Sequence, residues 1–457
     1  MAMEALKKTV LSKFSAEVGE NVANLMIKEV VANVDRPGMG VRLVEEGELE
    51  WIMQVIDYSL QLGLANNRDF ETVQSAVRVY VAWLTTITSS PHPSAPTPMI
   101  KSPLNYFSRL LDSLLAIFLP RSTENLFPPT IINRQAAEIR QVLGAVRVLY
   151  KRAEMAQKEN IVEMWSRILL FLKSANSILL SKPCWPDELG SVMAGDLSEN
   201  LFDCWVVAAI QGRIPTKSYW KMLSINAQQW ITHVPVIEWW GRKLLALTVI
   251  VVKKSFGEDY CDIKLTDDIY NNIDLSDLKE IWWQLFTLFG NVSKIPGQAE
   301  KICLENGTSP NLGLVVAEQA GLSFFLTLEI MARIVSIFNA DVTVSLDLHE
   351  NDDIMAQCIE YQNVNGTSSN GTRFQRQSNM STTSSNFSTA VDKNEESQST
   401  LTSVQHQSGN LKKIQIAMNS QGSAKNGSLG KPIVNPSPVP NRNAKFSAKA
   451  GLHHATK

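Results

Sequence analysis

The chain has 457 residues, 44% hydrophobic and 19% charged, with a formal net charge of −2. That much apolar material builds a sizeable core, which excludes a fully disordered chain, a collagen-like repeat and a small disulfide scaffold. Near-neutrality excludes whole-surface attraction to nucleic acid or anionic membrane.

The average conceals two unlike parts. All 11 tryptophans lie between Trp51 and Trp283. Residues 1–360 carry 32 basic and 42 acidic side chains, a net of −10, while residues 361–457 carry 11 and 3, a net of +8. This reads as a folded helical-repeat domain, 1–345, followed by a polar, disordered tail, 346–457.

Taken in chain order, the first 340 residues are dominated by apolar positions three and four apart, the mark of an amphipathic α-helix. Trp51, Val55, Tyr58 and Leu62 form the first such stripe, and Val73, Ala76, Val77, Tyr80 and Leu84 the second. Ser89 to Pro98, with four prolines, predicts an extended, exposed connection. Beyond it come stripes through Leu110–Phe118, Ile139–Leu149, Trp165–Leu172 and Leu197–Ala208. Val236, Trp240, Leu244, Leu247 and Val251 follow, then Leu278, Ile281, Trp282, Leu285 and Leu288. Pro120, Pro128, Pro129, Pro183, Pro186, Pro215 and Pro296 fall between stripes, where helices stop. Asp341 to Leu348 alternates like an edge strand but has no partner. About a dozen helices in series without βαβ alternation predict an all-α fold. The specific expectation is an irregular α-solenoid of HEAT- or armadillo-like helix pairs, with a globular bundle as the alternative. From Tyr361 onward, Ser, Asn, Thr and Gln dominate, and such a segment buries too little apolar area to offset its ordering entropy.

Chemistry-bearing patterns are sparse. Five widely spaced cysteines show no C-x-x-C pair, and Cys204 sits in an apolar run as a small buried hydrophobe. His233 and His349 lack co-ligands at helical spacing. Gly257 to Asp277 is rich in acids but lacks the glycine and terminal glutamate of a calcium loop. No phosphate-cradling loop or nucleophile elbow occurs. The reading is therefore no catalytic residue, no cofactor-binding residue, no metal ligand and no cofactor. No signal-peptide core is visible, and the longest uncharged apolar run, Leu244 to Val252, is about half of what a membrane span needs. A cytoplasmic protein without a membrane span is expected. The paired indoles Trp239-Trp240 and Trp282-Trp283 stand out, because adjacent helical residues point about 100° apart. Either both rings of a pair belong to a wide core stripe between stacked helices, or one of them anchors a partner protein; in the first pair, Trp240 lies in register with the core stripe and Trp239 beside it, toward Lys243.

Six stretches in order resemble the N-terminal region of Ral GTPase-activating protein beta subunits. They are LEWIMQVIDYSLQLGL (Leu49–Leu64), FETVQSAVRVYVAWL (Phe70–Leu84), PMIKSPLNYFSRLLDSLLAIFLPR (Pro98–Arg121), WSRILLFLKSANSILLSKP (Trp165–Pro183), PTKSYWKML (Pro215–Leu223) and HVPVIEWWGRKLLALT (His233–Thr248). The likeness runs over about residues 20–340. It implies a non-catalytic regulatory or scaffolding subunit that forms a heterodimer with a catalytic alpha subunit. That complex stimulates GTP hydrolysis on Ral-type small GTPases, which this chain would meet indirectly. In the family, the alpha subunit supplies an asparagine thumb to the nucleotide; no asparagine here matches that role. Family members continue into a GAP-related domain, for which no segment of this chain provides. A helical-repeat adaptor with no GTPase link is the alternative.

Overall fold

A computed structural model of the chain describes residues 9–121, 129–152, 155, 158–260 and 273–339. The chain divides into two units, 1–372 and 373–457, and every described residue belongs to the first. The segment read as a strand, the tail and His349 lie outside the described residues.

Among the described residues there are thirteen α-helices and no strand; a single bridge pairs Thr88 with Met155. The helices are α1 (Ala16–Asp35), α2 (Glu46–Ser59), α3 (Asn67–Leu84), α4 (Thr97–Lys101), α5 (Pro103–Leu114), α6 (Pro129–Arg152) and α7 (Ile161–Leu180). After them come α8 (Leu189–Ile210), α9 (Ser218–Ala227), α10 (Val234–Phe256), α11 (Leu275–Phe286), α12 (Ile295–Glu305) and α13 (Pro310–Phe338). The all-α expectation holds.

Local sequence explains the starts. Glu45 and Glu48 form a capping box on α2, and the Asn66 side chain accepts from the Asp69 amide at 2.7 Å to open α3. Pro103, Pro129, Pro235, Pro296 and Pro310 sit in first turns, where a missing N–H costs nothing. Thus Pro129 and Pro296 begin helices as well as separating them. The Ser89–Pro98 connection departs from its expected exposure. Ser94 and Pro96 are buried, and His92 donates its amide to Thr85 Oγ1 at 2.7 Å, which ties the loop to the end of α3.

Helices pack within short distances along the chain, often skipping one or two: α1 on α2 and α3, α3 on α6, α6 and α7 on α8, α8 on α10, then α10 on α11 and α13. The predicted stripes from Val73 onward are buried, except that Leu115 and Trp282 are only partly so. The first stripe is shifted. Trp51 is 39% exposed and Tyr58 partly so, while Leu49, Ile52, Met53, Ile56 and Leu60 carry the core contact of α2. Where α10 crosses α13, a Cβ on Gly241 would meet the Ile330 side chain, so the close approach requires the glycine.

Helix α13 is long and apolar enough to cross a membrane, although a third of its most apolar window is buried inside the protein. Its apolar sequence is interrupted by Glu318, Glu329 and Arg333.

Candidate interaction surface

Within helix α8, the apolar run LFDCWVVAAI holds one acid, Asp203. Burial pushes its carboxyl up, but Lys243, then Lys151, outweigh that and hold it at about 2. Lys243 Nζ from α10 and Lys151 Nζ from α6 each lie 2.8 Å from its oxygens, and the Tyr150 hydroxyl donates at 3.1 Å. Arg147 approaches Asp203 at 3.8 Å and bonds Glu199. The network pins three helices together, and its charges answer one another. It is a structural knot that the motif search passed over, although an acid in an apolar run is the signal that a cation must face it.

The residues singled out for chemistry are placed as follows. Cys204 is fully buried, and desolvation pushes its thiol well above the usual range. His233 starts α10 and is buried, which holds its imidazole down at about 4 despite a backbone hydrogen bond with Leu180; it is neutral at pH 7. Among the described residues no three His, Cys, Asp or Glu side chains come together as a metal cluster. Residues 261–272 of the acidic stretch lie outside the described residues.

The tryptophan pairs each divide into an inward and an outward ring. Trp240 is fully buried, donates Nε1 to the Leu285 carbonyl at 2.8 Å and meets Phe289 edge-on. Trp239 is half-buried under the Arg242 guanidinium, 4.9 Å above its ring. Arg242, not Lys243, is therefore its cationic neighbour, because Asp203 draws Lys243 inward. In the second pair, Trp282 donates Nε1 to Thr248 Oγ1 at 2.8 Å, while Trp283 is 55% exposed. Trp283 stacks on Phe286, Trp282 meets Phe338 edge-on, and the nearby Tyr260 hydroxyl donates to the Phe338 carbonyl at 2.9 Å. This makes an aromatic surface at the meeting of α11 and the end of α13. An exposed indole packed against the partly buried rings of Trp282 and Phe286 is a pre-organised anchor for a protein partner. Because half of Trp283 is already in water, Trp283→Ala is expected to cost less than about 1 kcal/mol of stability in a thermal melt.

Fold and surface define a class: a multi-helix body with an exposed aromatic patch at α11 and the end of α13. Comparisons with known proteins narrow it. Residues 132–258, running from α6 to the end of α10, match the family model described as the RALGAPB N-terminal domain. The Ral GTPase-activating protein subunit beta of Homo sapiens is 29% identical over 290 residues, covering 62% of this chain and 18% of that protein. The Mus musculus subunit is 29% identical over 292 residues, with the same coverage. A Rap-GAP domain-containing protein of Dictyostelium discoideum is 26% identical over 144 residues, 30% of this chain and 8% of that protein. No solved structure matches. The resemblance read from the six stretches is thereby borne out: this helical body is similar to the N-terminal domain of Ral GTPase-activating protein subunit beta, and the match spans about a fifth of the length of those relatives.

Proposed function

We propose that this chain is a non-catalytic, scaffolding part of a GTPase-activating complex that acts on Ral-type small GTPases and pairs with a catalytic alpha subunit. The observation that carries the reading is the family match over α6 to α10, the stretch that holds the Asp203 knot and Trp239. Its contribution is positional. A rigid helical body fixes a partner in register, and the charge of phosphoryl transfer is stabilised by groups from another chain.

Two measurements test this. The purified chain is expected to leave the GTP turnover of a Ral-type GTPase at its intrinsic rate; clear stimulation by the chain alone overturns the non-catalytic assignment. Affinity capture from cells is expected to recover the catalytic alpha subunit, and Trp283→Ala to weaken that capture by about tenfold or more. Recovery of only unrelated partners favours an adaptor with no GTPase link.

A further inference from the structure

A cavity of about 200 Å³ lies where the start of α8, the first turn of α10 and the first half of α13 meet. Ala194, Pro235, Val315 and Val316 give it apolar walls. Thr232 and Gln319 add neutral polar groups, and no Asp, Glu, Lys or Arg is among its lining residues. Cys184 and Ser191 also line it, with Sγ and Oγ 3.2 Å apart, so that each partners the other. Burial pushes the Cys184 thiol up, which keeps it uncharged at pH 7. The last lining group is His233, only 6% exposed. Its neutral imidazole carries one N–H and one lone pair. The N–H serves the Leu180 carbonyl, while Nε2 has no hydrogen-bond partner among the described residues. A buried acceptor without a donor is rare in folded proteins, because it forfeits a hydrogen bond that water would have given it. Beside a cavity, it marks a place for a donor.

We propose that this cavity binds a neutral single-ring molecule that donates one O–H or N–H to the His233 imidazole. The lining selects that class in three ways. Size comes first: a benzene-sized ring fills an apolar cavity of roughly 150 Å³, so about 200 Å³ takes one substituted ring and not two. Charge comes next. A carboxylate, phosphate or ammonium entering here sheds its water and meets no opposite charge, which is costly. Polarity completes the selection, since apolar walls with a few placed polar groups bury the body of a ring and orient it by its donor. A site with a buried hydrogen-bonding group also rejects an analogue that lacks the matching group, because its own polar atom then stays unpaired. None of the lining residues belongs to the Trp283 surface, and the proposal does not depend on the reading of function.

Phenol, toluene and benzoate are the probes, titrated into the full chain at pH 7. Calorimetry is expected to give phenol a dissociation constant below about 1 mM, with toluene and benzoate each at least about tenfold weaker. In the 15N-histidine-labelled chain, phenol is expected to shift the unprotonated ring nitrogen of His233, identified by its loss in His233→Phe. That variant should bind phenol and toluene within about twofold of each other. Val315→Phe, at a partly exposed position on the wall, should fill the cavity, keep the helical circular dichroism and abolish binding of all three probes. If His233→Phe does not fold, the wild-type ratio of phenol to toluene and the Val315→Phe titration decide alone. No saturable phenol binding up to about 10 mM leaves water as the occupant and overturns the proposal. Equal affinity of the wild type for phenol and toluene, or for phenol and benzoate, overturns it too, as does unchanged phenol binding in Val315→Phe. No GTPase or alpha subunit enters these titrations, so the two readings fail separately.

Discussion

Trp240→Ala is expected to lower the unfolding free energy by roughly 3–5 kcal/mol, the largest loss for any single indole-to-methyl change in α10. The side chain is fully buried, so truncation leaves a cavity between α10 and α11 as well as losing the transfer energy of the ring. It also removes the indole donor to the Leu285 carbonyl, which keeps its bond from the Leu288 amide at 3.2 Å, so the lost hydrogen bond adds less than the cavity does. Trp240→Phe keeps most of the volume but not that donor, and is expected to fall between. Trp239→Ala is the control. Its ring is only half-buried and stacks with Arg242, so roughly 1 kcal/mol is at stake. Denaturant melts of the three variants decide the matter; equal losses for Trp239→Ala and Trp240→Ala show that both rings are core.

The second large effect is expected at Asp203. Asp203→Ala leaves Lys243 and Lys151 facing apolar helices without their carboxylate, and removing one partner of a buried ion pair costs roughly 3–5 kcal/mol. The same network sets an acid limit. Because the folded carboxyl is held at about 2, below its ordinary value, its contribution is complete above about pH 4 and is lost as the pH falls toward 2. The size of that pH-dependent part is roughly 2 kcal/mol. Acid costs less than the Ala substitution because protonation keeps the shape and the hydrogen bonds of the side chain. Melts of wild type and Asp203→Asn should therefore converge between pH 4 and pH 2 and differ fully at pH 7. A gap that is constant over this range refutes the assignment of the charge.

Much of the helical body was legible in the sequence, because helix existence follows from local periodicity and proline placement. The stripes Val73–Leu84, Ile139–Leu149 and Val236–Val251 are buried as spaced, and the family resemblance was readable from short runs of apolar and aromatic residues. Trp51 shows the limit. In a helix rich in apolar residues more than one register satisfies a spacing of three and four, and the neighbouring helices α1 and α3 decide that Leu49 and Met53 face inward. The Asp203 knot was hidden for a related reason: its two lysines lie 52 residues before it and 40 after it, and only the packing of α6 and α10 on α8 brings them together.

Helices α8 and α13 mark the division most clearly. Both are apolar nearly all round, so by sequence alone they read alike. Helix α8 is enclosed by α6, α7, α10 and α11, and one continuous run from Leu197 to Ala208 holds buried residues at nearly every position. Helix α13 meets mainly α10 and α12, and its remaining side, from Leu314 to Val335, faces outward. The sequence by itself determined that both segments are helical and apolar, since propensity and hydrophobicity are properties of the residues in the segment. Which faces are covered depends on how many other helices arrive at that place, a property of distant segments, and so only the tertiary structure decided it.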